Sequence, residues 1–171
     1  MVTVSPSECE GAATWAYALQ LPHDARAARI ARVTLRAVLS GHGMSQLQDD
    51  AELLASELVT NAYRYSSGPA TLRLRGLGRS RLRVSVRDAN PHIPPPFGRR
   101  SGPVGRVPVE ADGGRGLFLV CHYASAWGGY PLGGGVGGRG GKLLWCEVGP
   151  SAGGGACPGA GLTAVDRRPR G

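Results

Sequence analysis

Residues 56–88 read SELVTNAYRYSSGPATLRLRGLGRSRLRVSVRD, and within this stretch the hydrophobic period changes once. Up to Tyr65 it is helical: Leu47, Ala51, Leu54, Leu58, Ala62 and Tyr65 form one apolar stripe. Ser45 with Gln48 three residues on fits a capping box, and Asp49, Asp50 and Glu52 stand in the first turns, where the helix dipole favours acids. Ser66-Ser67-Gly68-Pro69 closes the helix. Beyond it the period is two. Leu72 and Leu74 share a face over Thr71–Arg75, and Leu82, Val84 and Val86 share one over Arg81–Arg87, with Arg81, Arg83, Ser85 and Arg87 opposite. The short turn at 76–80 makes them an antiparallel hairpin buried on one face.

Working outward, residues 1–13 are small and polar and are expected to be flexible. Trp15, Tyr17, Leu19 and Leu21 alternate as a strand, stopped by Pro22. From His23 to Leu39 a helix is expected, with Ala27, Ile30, Val33 (or Thr34), Ala37 and Val38 on one face and Arg26, Arg29, Arg32 and Arg36 largely opposite. On the other side, residues 89–113 hold six prolines and little periodicity, which predicts a lid over about 90–113. A third helix over about Arg115–Trp127 would bury Leu117, Val120, Cys121, Ala124 and Trp127. A Gly-rich connection (128–141) leads to a last strand, Lys142–Val148, and residues 149–171 have the composition of a disordered tail. The order β-α-α-β-β-lid-α-(β)-β predicts one α+β domain over 14–148. It is an α/β two-layer sandwich, with a mostly antiparallel mixed sheet and helices on one face.

Charge narrows the function. The 171-residue chain has 20 Lys+Arg and 12 Asp+Glu, a net charge of +8, and only one of the basic residues is lysine. Residues 1–63 sum to −3, residues 64–115 to +8 and residues 116–171 to +3. The excess in the middle block points to phosphate or polyanion contact, although the arginine face of the hairpin accounts for much of it. No helix-turn-helix and no aromatic-basic interleaving accompany it, so direct nucleic-acid binding is disfavoured. No apolar run approaches the ~20 residues of a membrane span, and the start, MVTVSPSECEG, lacks the basic and apolar regions of a secretory leader. A cytoplasmic protein without a membrane partner is expected. The four cysteines form no CxxC pair, which argues against zinc, and Cys121 and Cys146 lie in apolar patterns as small buried side chains.

Three groups of residues could carry chemistry. Glu57 and Asn61 lie four apart, about 40° around a helix. A carboxylate and an amide so placed can hold hydrated Mg²⁺ and orient or deprotonate a nucleophile, although such a pair also suits a solvated face. Asp88 ends a strand at the mouth of a long loop, where it can accept from a ligand amine or form a turn with Asn90 and Pro91. Asp112-Gly113-Gly114-Arg115-Gly116 runs directly into an apolar helix whose free amides would attract phosphate. Two other glycine patterns carry none of this. Gly133-x-Gly135-x-x-Gly138 precedes a strand rather than a helix, and Gly141-Lys142 lacks the first glycine and the Ser/Thr of a Walker loop.

In this order Ser56-Glu57-Leu58-Val59-Thr60-Asn61-Ala62, then Val84-Ser85-Val86-Arg87-Asp88, then Gly113-Gly114-Arg115-Gly116-Leu117-Phe118-Leu119-Val120 resemble the N, G1 and G2 boxes of the GHKL ATPase superfamily. More narrowly they resemble its anti-sigma-factor serine/threonine kinase branch, whose terminal strand is similar to Gly141-Lys142-Leu143-Leu144-Trp145. The resemblance covers about 14–148. It implies a Bergerat-type ATP-binding fold with ATP and Mg²⁺ as cofactors. Glu57 would be the general base, Asn61 the Mg²⁺ ligand, and Asp88 the acceptor for the adenine amino group. Gly114, Arg115 and Gly116 would cradle phosphate beneath the lid.

The implied activity is transfer of the γ-phosphoryl to a Ser/Thr of a STAS-type anti-sigma-factor antagonist, with a sigma factor as second partner and a homodimer left open. The chain departs from the pattern at Asn90 and His92, where the G1 box has glycines, and at Tyr65, where a His is common. These departures motivate the alternative, a non-catalytic ATP-dependent protein-interaction switch of the same fold. With no Lys near the lid in sequence, Arg115 or Arg64 would meet phosphate charge.

Overall fold

The computed structural model describes residues 14–98, 115–133 and 140–150. Five strands pair in the order β1-β2-β3-β5-β4: β1 is Trp15–Leu21, β2 Ala70–Gly76, β3 Leu82–Asp88, β4 Ala126–Leu132 and β5 Gly141–Val148. Every pairing is antiparallel, so the sheet is less mixed than expected. The hairpin read from residues 71–87 stands in register, with Leu72 opposite Val86 and Leu74 opposite Val84. The second layer is α1 (Ala27–Gly41), α2 (Gln48–Tyr65) and α4 (Arg115–Tyr123), with α2 in contact with both other helices and with β2, β3 and β5. One apolar cluster joins the layers. Among the described residues no helix is long and apolar enough to cross a membrane.

Several local expectations are corrected. On α1 the buried residues are Ala27, Ala31, Leu35 and Leu39, while Ile30 and Val33 are 43% and 64% exposed. The helix is turned so that the Leu35 and Leu39 side chains bury their larger apolar area, worth about 1.5–3 kcal/mol each. That turn also carries two arginines to α2. Arg36 pairs with both Glu52 oxygens at 2.8 Å, and Arg32 donates to Ser56 Oγ at 3.1 Å. After α1, Gly43 takes a positive φ of 67°, which lets Met44 N–H close a bond of 2.8 Å on Leu39 O. The capping box does not form. Ser45–Leu47 is a 3-10 turn, α2 starts at Gln48, and no side chain caps it. At the other end of α2, Tyr65 leaves the apolar stripe and is 53% exposed.

The third helix stops at Tyr123 rather than Trp127, because Ser125 donates through both its N–H and its Oγ to Glu147 O and so starts β4 beside β5. Residues 128–132 of the stretch expected as a Gly-rich connection are therefore strand, and residues 134–139 lie outside the described residues. A Cβ on Gly128 would come within 2.9 Å of the Trp145 ring, and one on Gly129 within 2.7 Å of Leu144 and 3.2 Å of Phe97. Large neighbours on each face fill the space the two glycines leave, which is how so poor a strand sequence pairs. Pro95–Gly98 forms a short α3 within the stretch expected to lack structure. Residues 1–13, expected as a flexible N-terminus, residues 99–113 of the expected lid, Gly114 and residues 151–171 of the expected tail lie outside the described residues.

The sheet face away from the helices carries the charge. Arg73 and Arg87 are exposed there. Arg83 instead stacks 4.5 Å from the Trp145 ring centre and donates to Glu147 Oε1 at 2.8 and 3.0 Å. Part of the central positive charge is thus neutralised across β3 and β5. Cys121 and Cys146 are buried as expected. Burial pushes the Cys121 thiol up to about 11 and the Cys146 thiol higher still, so both stay protonated and unreactive near neutral pH.

Candidate functional site

The second half of α2 touches the start of α4 through Glu57 and Gly116 and the turn after β3 through Tyr65 and Asn90, and these elements carry the sequence-derived candidates. Glu57 and Asn61 stand one turn apart on α2. Asn61 is only 8% exposed, and its Oδ1 is buried with no hydrogen-bond partner among the described residues. A buried amide oxygen left unpaired costs about 1–3 kcal/mol, which marks it as an atom waiting for a donor or a cation. Glu57 is half-buried, and its carboxylate lies directly against Gly116 in the first turn of α4, where a Cβ would overlap it. Backbone and carboxylate approach so closely only because residue 116 has no side chain.

Gly116→Ala is therefore expected to displace the Glu57 carboxylate while α4 still forms. A shift of ~1 Å in a reacting group costs about 10²-fold in rate, so if Glu57 has the role the resemblance implies, turnover of ATP should fall to that extent with the far-UV circular dichroism unchanged. A variant with wild-type turnover would show that Glu57 is not needed where it stands.

The end of β3 is tied to the end of α2. Asn90 donates through Nδ2 to Tyr65 O at 2.6 Å and through its backbone N–H to Asp88 Oδ1 at 2.8 Å. Its Oδ1 accepts from His92 N at 3.0 Å, and Ala89 N donates to Ser66 Oγ at 3.2 Å. The residue at a glycine position of the G1 box thus satisfies the last carbonyl of α2 and fixes the turn. Asp88 itself is 4% exposed.

Sequence reasoning missed one partner here. Lys142, placed opposite Asp88 by the β3–β5 register, turns its ammonium inward to Asp88 Oδ1 at 3.0 Å and Oδ2 at 2.9 Å. A lysine thus stands beside Asn90, where the expected lid begins, although none lies near that stretch in sequence. The available signal was its being the single lysine of an arginine-rich chain.

Beside these residues a cleft of about 550 Å³ opens between the end of α2 and the turn after β3, lined by Tyr63, Arg64, Tyr65, Ser66, Ala89 and Asn90 among others. Glu57, Asn61 and Asp88 do not line it. Of the phosphate-loop candidates, Gly116 and the backbone start of α4 at Arg115 are in place, and Gly114 lies outside the described residues.

Among the described residues no three His, Cys, Asp or Glu side chains gather as a metal site. Mg²⁺ does not require one, since it keeps water and takes one or two protein oxygens together with substrate phosphates. The orphaned Asn61 Oδ1 beside the Glu57 carboxylate fits that demand. A family model described as a histidine kinase-like ATPase domain matches residues 21–127. No curated protein matches the chain.

Proposed function

The chain belongs to the histidine kinase-like ATPase domain family, and from that premise we propose that this ATP-binding domain is a Mg²⁺-dependent protein serine/threonine kinase. It phosphorylates a Ser/Thr of an anti-sigma-factor antagonist of the STAS type and thereby controls a sigma factor. The observation that carries the reading is Asn61: a buried, unpartnered amide oxygen one helical turn from a carboxylate packed on the backbone of Gly116. Asn61 Oδ1 would hold Mg²⁺, which when bound would supply positive charge against the phosphates.

The other roles fall to the chain's own groups. Asp88 accepts from the amino group of adenine. The backbone amides of Gly114, Arg115 and Gly116 receive phosphate oxygens. Arg64, on the cleft wall, adds positive charge. As the acceptor hydroxyl oxygen bonds the γ-phosphorus and the bond to the ADP oxygen breaks, Glu57 takes the hydroxyl proton. The test incubates the full chain with labelled Mg-ATP and candidate antagonists from its own genome. Label on a Ser/Thr of one of them supports the reading, and ATP bound without transfer to any of them defeats it.

A second reading, an ATP-dependent interaction switch without phosphoryl transfer, draws on Asn90. It replaces a hinge glycine with three hydrogen bonds, to Tyr65, Asp88 and His92. Binding of ATP by calorimetry in the absence of transfer selects it.

A further inference from the structure

The Lys142–Asp88 pair exceeds what holding two strands together requires. The two side chains are 1% and 2% exposed, and β3 and β5 are already paired along their length. A Cβ on Gly141 would overlap Asp88 O, so the backbones close tightly where the pair sits. The lysine ammonium has three N–H donors, and three acceptors surround it: Asp88 Oδ1 at 3.0 Å, Asp88 Oδ2 at 2.9 Å and Asn90 O at 3.4 Å. None is left to reach a phosphate. Asp88 Oδ1 takes a second bond from Asn90 N–H at 2.8 Å, which fills both its lone pairs. Oδ2 keeps one.

We propose that Lys142 is the specificity-determining positioning residue of the nucleotide site. By occupying Asp88 from inside the protein it orients the carboxylate so that one acceptor position on Oδ2, and no donor, remains for the base. Such a position receives the exocyclic N–H of a 6-amino purine and opposes the carbonyl of a 6-oxo purine, so the site rejects hypoxanthine and guanine nucleotides by lone-pair repulsion as well as by a missing bond. The assignment rests on the reading of Asp88 as the base acceptor. It adds that selectivity is set by a residue that does not touch the base.

The experiment measures binding of MgADP and MgIDP, which differ in the 6-amino against the 6-oxo group and in the N1 proton that accompanies the oxo group, to the full wild-type chain, to Lys142→Met and to the double variant Asp88→Asn/Lys142→Met. The wild type should prefer MgADP by about 10²-fold or more. In Lys142→Met the carboxylate loses the donor that fixes its plane, and the ratio should fall by at least about tenfold, the worth of one such bond. The double variant replaces the buried pair by neutral groups and should regain stability while keeping the low ratio. A merely structural role for Lys142 would leave the ratio unmoved.

A folded Lys142→Met with the wild-type ratio overturns the proposal. If that variant does not fold, a folded Lys142→Gln, which removes the ammonium and is one atom shorter, with the wild-type ratio overturns it instead. A wild type that binds MgADP with no preference over MgIDP also overturns it while leaving nucleotide binding intact. A wild type that binds neither nucleotide overturns the underlying reading of the site along with it.

Discussion

Glu57→Ala is expected to lower phosphoryl transfer by about 10²–10⁴-fold, the usual contribution of a positioned general base. On the proposed roles the loss is specific to transfer. The Glu57 carboxylate packs on Gly116, whereas the proposed contacts to the base and to Mg²⁺ belong to Asp88 and Asn61. Affinity for Mg-ATP should therefore change little. Glu57→Gln keeps the shape against Gly116 and removes the proton acceptor, so it should be nearly as slow as Ala if the role is basicity. A Gln variant close to wild type would instead mean that Glu57 orients the acceptor by hydrogen bonding. Single-turnover transfer of labelled phosphate, with binding measured in parallel, separates these outcomes. Equal transfer by wild type and Glu57→Ala removes the proposed role.

Lys142→Met is expected to cost about 3–5 kcal/mol of folding stability, the penalty for leaving one member of a buried ion pair without its partner. Three features place it at the upper end for a single substitution. Both side chains are almost wholly buried, both Asp88 oxygens lie within 3.0 Å of the ammonium, and Asn90 O closes the shell. The pair itself is not expected to add much net stability, because desolvating two charges offsets most of their attraction. Asp88→Asn/Lys142→Met should therefore recover most of the loss. Urea unfolding of the three proteins checks this through their midpoints. A single variant within about 1 kcal/mol of wild type, the cost of an ordinary hydrogen bond, would mean that water reaches the pair.

Local pattern carried much of the architecture. The switch from period 3.6 to period 2 across residues 56–88 located α2, β2 and β3 to within a residue or two, and the short turn at 76–80 made the two strands antiparallel. Glu57 of the first box touches Gly116 of the third, and Asp88 of the second lies two residues from Asn90, which bonds the last carbonyl of α2. Misreadings fell where a local signal is weak or degenerate. Small and branched residues spread around α1, so two faces were nearly equivalent by periodicity, and packing against α2 decided for Leu35 and Leu39 over Ile30 and Val33. The glycines of β4 have no strand propensity of their own, and the strand exists because Trp145, Leu144 and Phe97 occupy the space beside them.

Among the candidate residues, Glu57, Asn61, Asp88 and Gly116 could be named from the sequence because their types and spacings have a chemistry of their own. What could not be read there is how each is held. Asn61 Oδ1 is orphaned only because α2 is enclosed, Glu57 is clamped only because α4 crosses it, and Asp88 meets Lys142 only through the β3–β5 register. Spacing along a chain determines which side chains share an element and a face, since helix and strand periods are local. Which charges are dry, and which polar atoms go without a partner, depends on contacts between residues 54 apart in sequence, such as Asp88 and Lys142. The sequence alone determined the layers and the set of candidate groups. Only the tertiary structure decided that the single lysine stands behind the candidate base acceptor, because burial is a property of the assembled layers rather than of any one segment.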